Sequence, residues 1–321
     1  MEIAENRLLK RLARFGRSGG DIVRGIGDDG AVLFLSEGEY VFVQDALVEG
    51  THFDFTLQRP IDVGKKAVYV NVSDVLAMGA RPLYFLVTIG VPPVMGAKTI
   101  GELYRGMGRA ASEFGASLVG GDTTEARGAL FIDVSMVGRL VTPEYLGRDK
   151  AVTGDLVGVT GSLGEAAFGL ALLKGSPGMK PNRFTRRFTS PKPPHRAWKA
   201  LVDAGIPRAM MDVSDGLLID LERMMEESGK AAVVHMERMP IPSALVKEGK
   251  EALALAGGED YQFLFTFDRG RKDEVEALKR EGVALSIIGE VRQGRGVRLM
   301  EKGREKKVAI KGYEHFGKRL P

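Results

Sequence analysis

Acidic residues recur along this chain in places where a structural role alone explains them poorly, beside paired glycines or within apolar runs. Asp28 and Asp29 lie inside Gly25-Ile26-Gly27-Asp28-Asp29-Gly30, and Asp45 follows the apolar run 40–43. Asp74 sits among Val70, Val72, Val75 and Leu76, three residues after Asn71 and so on the same face of a helix. Asp122 follows Gly120-Gly121, Asp212 and Asp215 bracket Val213-Ser214, and Glu259-Asp260 follow Gly257-Gly258. The chain has no cysteine and four histidines, so any metal held here is held by hard oxygen donors, which favours Mg²⁺ over zinc. Carboxylates gathered around Mg²⁺ suit phosphoryl transfer, in which the ion neutralises charge on the group in flight.

Each acid also has a plainer reading. Ser214 or Asp215 could cap a helix starting near 216, and taken alone that is the better reading of either. Asp122 could belong to a polar turn with Thr123 and Thr124, and Asp28-Asp29-Gly30 to a hairpin turn. Asp74 resists such a reading, because a lone carboxylate buried in an apolar helix is costly. Gly25 to Gly30 spells G-x-G-x-x-G, yet a strand-like run follows it instead of a helix, and its two aspartates would repel a pyrophosphate. The dinucleotide reading is rejected. No Walker A, H-E-x-x-H or G-x-S-x-G sequence is present.

The elements that must position these residues alternate between strand and helix. Runs 30–35 and 40–43 predict a hairpin, apolar residues at 61, 64, 67/68, 71/72, 75 and 78 predict a helix, and 83–91 a buried strand. A second amphipathic helix is expected over 99–114, with strands at 117–119 and 129–141. After residue 150 come strand 156–160, helix 164–173 and a Pro/Lys/Arg-rich stretch, 175–194, expected to be a long, partly mobile loop. Helices 195–204, 216–228 and 272–281, strands 231–235, 261–267 and 284–288, and a basic hairpin over 297–310 complete the chain. The fold expected is α+β, as two mixed α/β domains, 1–150 and 151–321.

Composition bounds the rest. The 321 residues carry 44% hydrophobic and 27% charged side chains, an ordinary globular balance. The 42 glycines are about twice the usual share and imply many tight turns. Residues 1–150 hold 17 basic and 19 acidic side chains, and the remainder 29 and 23. The basic residues are scattered without interleaved aromatics, which disfavours nucleic acid as a partner. No apolar run is long enough for a membrane span. The basic segment 3–17 contains Glu5 and reads as a surface or interface helix and not a targeting peptide, so a cytoplasmic protein is expected.

Taken together, Gly25-Ile26-Gly27-Asp28-Asp29, Asp45-Ala46-Leu47-Val48-Glu49-Gly50-Thr51-His52-Phe53, Asn71-Val72-Ser73-Asp74, Gly120-Gly121-Asp122-Thr123-Thr124, Asp212-Val213-Ser214-Asp215-Gly216, Gly257-Gly258-Glu259-Asp260-Tyr261 and Gly312-Tyr313-Glu314-His315-Phe316 resemble the thiamine-monophosphate kinases, within the aminoimidazole ribonucleotide synthetase-like superfamily. The resemblance implies a homodimer joined through N-terminal sheets. It also implies ATP-dependent phosphorylation of thiamine monophosphate, with Asp28, Asp45, Asp74, Asp122, Asp212 and Asp215 holding Mg²⁺. Of these, Asp74, Asp122 and Asp215 carry the catalysis. Tyr104, Gly121, Asp122, Arg148 and Ser214 are then expected at the nucleotide, and His52, Glu259 and Tyr313 at the thiamine side. The N-terminal domain is expected to bind metal and ATP and to dimerise, and the C-terminal domain to complete the site. One motif departs from the family, which reads Thr-Asp-Thr where this chain has Gln44-Asp45-Ala46. A related enzyme acting on another small molecule, or a non-catalytic nucleotide-binding scaffold, stands as the alternative.

Overall fold

The computed structural model describes residues 11–16, 19–26, 31–176 and 178–308. The chain divides into two compact units, one of residues 1–76 and 80–143, the other of 77–79 and 144–321.

In the first unit, β1 (Ile22–Arg24) pairs antiparallel with β2 (Val32–Leu33). The hairpin expected between 30–35 and 40–43 is therefore not formed. Pairing β2 with β1 lets Ile22 and Leu33 pack with Tyr84 and Val119 in a small apolar cluster. The run at 40–43 instead belongs to β3 (Tyr40–Val48), a nine-residue strand. It joins β4 (Ala80–Val91), β5 (Ser117–Glu125) and β6 (Phe131–Leu140) in a sheet of order β3-β6-β4-β5. Only β4 and β5 run parallel, and the helix between them makes the crossover that a parallel pair requires. Pro82 falls at the one irregularity of the β4–β6 ladder, where a residue without an N–H is tolerated.

Two helices belong to this unit, α1 (Pro60–Ala77) and α2 (Ala97–Phe114). The buried side chains of α2 (Ile100, Leu103, Tyr104, Met107, Ala110, Ala111 and Phe114) recur at helical spacing along one stripe. Val75 of α1 lies against Gly138 of β6, so α1 covers the sheet face carrying Ile132, Val134 and Met136.

The second unit centres on a sheet of order β13-β12-β9-β11-β7-β10-β8. Its strands are β7 (Leu156–Thr160), β8 (Ala209–Asp212), β9 (Ala231–His235), β10 (Phe263–Phe267), β11 (Leu285–Arg292), β12 (Gly296–Glu301) and β13 (Arg304–Lys306). The interior strands β7 and β10 are buried along their whole length, which accounts for their mostly apolar sequences, Leu-Val-Gly-Val-Thr and Phe-Leu-Phe-Thr-Phe. Helices α3 (Glu165–Gly175), α4 (Arg183–Thr189), α5 (His195–Asp203), α6 (Leu217–Ser228), α7 (Ser243–Lys247), α8 (Ala252–Ala256) and α9 (Lys272–Arg280) belong to the same unit.

The stretch expected to be a loop at 175–194 contains α4. Asn182 and Thr185 form a reciprocal capping box at its start, and Phe184 packs edge-on against Phe168 of α3 at 4.9 Å. Its Pro and basic residues concealed that signal. The basic hairpin is present as β12–β13, with 309–310 outside the described residues. Most of the expected helix 3–17 also lies outside them. Among the described residues, no helix is long and apolar enough to cross a membrane.

Candidate functional site

In the first unit, strand register sets the positions of the acids. Asp45 and Asp122 lie inside strands, not after them, because each alternates with residues committed to the opposite face. Asp45 stands in a row with Val134, Val87 and Gly121. Val134 and Val87 are fully buried, so this row faces the side covered by α1, the helix that carries Asp74. Asp74 is half-buried, and Asn71 one turn earlier is fully buried with its Oδ1 lacking a hydrogen-bond partner among the described residues. Asp122 belongs to the next row, with Thr88, Asp133 and Ala46, which points the other way.

Gly121, in the first of these rows, has φ +151, and a Cβ there would sit 2.0 Å from the Val87 carbonyl oxygen. Only glycine allows this strand to approach β4 so closely. Tyr104, on α2, is buried and hydrogen-bonds Thr123. Burial pushes its phenol up to about 12, with the Thr123 bond opposing and the Asp122 charge adding to the rise, so it stays protonated. The His52 ring folds back on its own turn, where Nδ1 accepts from Val48 N at 3.0 Å, leaving Nε2 to carry the proton of the neutral ring. Lys66 of α1, fully buried, donates to the His52 carbonyl at 2.7 Å.

In the second unit, loops hold the acids. Asp212 ends β8 and is buried. Ser214 and Asp215 follow it, both half-buried. Neither caps the next helix: the N-cap of α6 is Gly216, which has no side chain. The carboxylate of Asp220, from within the first turn, accepts the loop amides instead. Asp215 receives Arg223 Nη1 at 2.5 Å.

Glu259 and Tyr261 adopt left-handed conformations, φ 71 and 46, in the loop between α8 and β10. Their amides donate to the carbonyls of Ser214 (2.8 Å) and Val213 (2.9 Å). Gly258 fits this contact because a Cβ would lie 2.5 Å from the Ser214 oxygen. Asp260 turns inward and accepts from Gly164 N and Ala166 N at the start of α3. Burial raises both Asp220 and Asp260 to about 7, against the pull of their amide donors. Arg148 is exposed, and its carbonyl accepts from Ser228 Oγ at 2.7 Å. Asp28 and Tyr313 lie outside the described residues.

The donor set is all oxygen, and the orphaned Asn71 Oδ1 adds another oxygen beside Asp74. No three His, Asp or Glu side chains converge on one point among the described residues. Mg²⁺ does not need such a cage, since one or two carboxylates with waters and substrate phosphates complete its octahedron. The residues present therefore suit Mg²⁺ brought in with a phosphate ligand.

Lys66, Asp133 and Asp220 went unmarked in the sequence, and Asp260 was marked only as one of the two acids after Gly257-Gly258. Asp133 would have been found by alternation, as the one acid within Phe131 to Val137. The other three bond mostly to backbone groups, which leave no trace in a sequence.

Comparisons with known proteins agree over about nine-tenths of the chain. Residues 27–140 match the family model for the AIR synthase related protein N-terminal domain, and 153–302 the C-terminal domain. The thiamine-monophosphate kinase of Pyrococcus horikoshii is 33% identical over 295 residues, covering 91% of both chains. That of Bacillus subtilis is 32% identical over 306 residues, covering 91% of this chain and 93% of the relative. Among solved structures, the thiamine-monophosphate kinase of Stenotrophomonas maltophilia superposes with a TM-score of 0.82 at 32% identity, covering 93% of this chain and 97% of that one. AaThiL complexed with AMPPCP and TMP superposes at 0.77 and 33%, covering 91% and 92%. The hydrogenase maturation protein HypE, at 23% identity and a TM-score of 0.79, shares the fold.

Proposed function

The chain belongs to the thiamine-monophosphate kinases of the AIR synthase related family, and from that premise we propose that it transfers the γ-phosphoryl group of ATP to the phosphate of thiamine monophosphate, giving thiamine diphosphate. The observation that carries this reading is similarity over 91% of the chain to kinases of that name, one of them solved with AMPPCP and TMP. Asp28, Asp45, Asp74, Asp122, Asp212 and Asp215 would hold Mg²⁺, which supplies charge neutralisation between two anionic reactants. Catalysis falls to Asp74, Asp122 and Asp215.

The reaction needs little else from the protein. The acceptor is already an anionic phosphate, so no strong base is required; the barrier is repulsion and alignment. Tyr104, kept protonated by burial, is a hydrogen-bond donor beside Asp122 and not a second anion. Together with Gly121, Arg148 and Ser214 it serves the nucleotide. His52, Glu259 and Tyr313 serve the thiamine side, and the tautomer fixed by Val48 makes His52 Nε2 a donor. Division of labour follows the expected domains: 1–150 for metal, ATP and dimerisation, 151–321 to complete the site.

The proposed form is a cytoplasmic homodimer. Phe42 (75% exposed) and Leu86 (45%) support the dimer, as large apolar groups on the sheet face opposite α1. Incubation with Mg²⁺-ATP and either thiamine monophosphate or free thiamine tests the activity. Thiamine diphosphate should form from the monophosphate alone; ATP binding without that product would refute the kinase reading in favour of a scaffold.

A further inference from the structure

We propose that Asp220 is a positioning residue for the phosphoryl-transfer site: its buried carboxylate holds loop 213–216 with its amides turned inward and the partly exposed Asp215 carboxylate turned outward. The residue is fully buried in the first turn of α6. A single oxygen, Oδ2, accepts from three successive amides, Ser214 N at 3.1 Å, Asp215 N at 3.0 Å and Gly216 N at 3.1 Å. The second oxygen accepts from Arg223 Nη1 at 2.9 Å, and the same nitrogen reaches Asp215 Oδ2 at 2.5 Å.

This arrangement reverses the usual order at a helix start, where a residue before the helix caps the amides within it. With Gly216 at the N-cap and the acid supplied from inside, the side chains of Ser214 and Asp215 are not consumed in capping. It also settles what the loop offers a ligand. Three successive amides pointing outward would make an anion-binding concavity. Here all three are spent on Asp220, so phosphate at this loop is met by side chains and the cation they hold.

The effect extends beyond the loop. Ser214 and Val213 offer their carbonyls to the amides of Glu259 and Tyr261, so the loop fixed by Asp220 is the template for the strained turn bearing Glu259. One buried carboxylate thus places Ser214, Asp215 and Glu259 relative to one another. This inference rests on the kinase reading for its meaning, though not for its geometry.

Asp220→Asn in the full chain tests it. The amide keeps one acceptor, but either orientation sets an NH₂ against the loop amides or against Arg223. We expect exchange of the 214–216, 259 and 261 amides to quicken at least tenfold while the β10 amides at 264–266 hold. We also expect kcat to fall at least tenfold, and the Mg²⁺ concentration for half-maximal rate to rise severalfold, with a smaller change in KM. Asp155→Asn is the control. Asp155 is equally buried in the same unit, bound to Arg208 and the Val152 amide, and its loss should lower Tm while leaving kcat and the Mg²⁺ requirement within twofold.

Unchanged exchange at 214–216, or quickening that includes 264–266 equally, would overturn the proposal, as would an unaltered kcat and Mg²⁺ requirement. If Asp220→Asn does not fold, Asp220→Glu decides. It keeps the charge but displaces the carboxylate from the three amides by one methylene, so exchange at 214–216 should still quicken and the Mg²⁺ requirement rise; unchanged exchange at 214–216 overturns the proposal. A wild type that makes no thiamine diphosphate defeats the kinase reading separately, and the exchange comparison then decides the positioning role by itself.

Discussion

The two units place their acids by different physics. In the first, Asp45 and Asp122 stand on the two edge strands of one sheet, and their positions follow from hydrogen-bond register carried through the two strands between them. In the second, Asp215 and Glu259 lie on loops, and individual buried carboxylates, Asp220 and Asp260, gather the backbone amides around them. A sheet distributes the job of positioning over many weak bonds. A clamp concentrates it in one residue. Removing a carboxylate on the strands should therefore cost chemistry with little change of fold, whereas removing a clamp should disturb a whole loop.

The largest expected effect belongs to the strand and helix acids themselves. Asp122→Asn and Asp74→Asn should each cut kcat by ~100-fold or more, the scale of losing one electrostatic contact made in the transition state. Because Asp122 is exposed and Asp74 half-buried, Tm should move by no more than a few degrees. Steady-state kinetics beside thermal melts checks both halves. Substantial activity in either variant would remove that residue from the site, and a large fall in Tm would show that register does not position the sheet acids independently.

The same contrast decides how much of the molecule was legible in advance. The motif acids could be read because a carboxylate among valines or after two glycines is out of place on structural grounds alone. The α+β class followed from alternating periods. Strand ends were harder: 40–43 stopped short of β3 because Gln44 and Ala46 face away from the covered side, and their polarity or small size broke the apolar run. The β1–β2 pair was missed because its two strands share so few residues, and the helix Arg183–Thr189 because its composition imitates a loop. Asp220 and Asp260 could not be seen as clamps. Their partners are peptide groups, identical at every position, and nothing in the letters marks which amides a side chain will meet.

The clamps also predict an unusual response to pH. Asp260 titrates at about 7 in the folded protein, because of burial, against 3.8 for an ordinary aspartate. Between those values the folded state binds a proton that the unfolded state has released, so this group's contribution to stability falls as pH rises from about 4 to about 7. The loss over that window is on the order of a few kcal/mol. Surface carboxylates paired with cations act in the opposite direction. Urea midpoints measured across the window should therefore fall more steeply for the wild type than for Asp260→Asn, whose neutral amide has nothing to titrate. Equal slopes would show that Asp260 keeps its ordinary acidity and holds α3 as a plain carboxylate.

The smallest effect concerns the place where the strand-built half departs from its family. Gln44 Nε2 donates to Asp133 Oδ2 at 2.6 Å, while Asp133 Oδ1 is buried without a described partner. Asp133 stands directly opposite Ala46, so both residues that replace the family's threonines border the same acid. Gln44→Thr removes the one donor that Asp133 has among the described residues, and should destabilise the protein by about 0.5–1.5 kcal/mol, the net worth of one hydrogen bond. Ala46→Thr brings a hydroxyl across the ladder from Asp133, able to supply the missing bond. The double variant should then be less destabilised than the sum of the single ones, by roughly 1 kcal/mol in a double-mutant cycle, with kcat within tenfold of wild type. Simple additivity would mean that the Gln44–Asp133 bond and the Ala46 position are independent. A large gain in kcat would instead mean that threonine hydroxyls at 44 and 46 act on the reaction directly, and that strand register alone does not complete this half of the site.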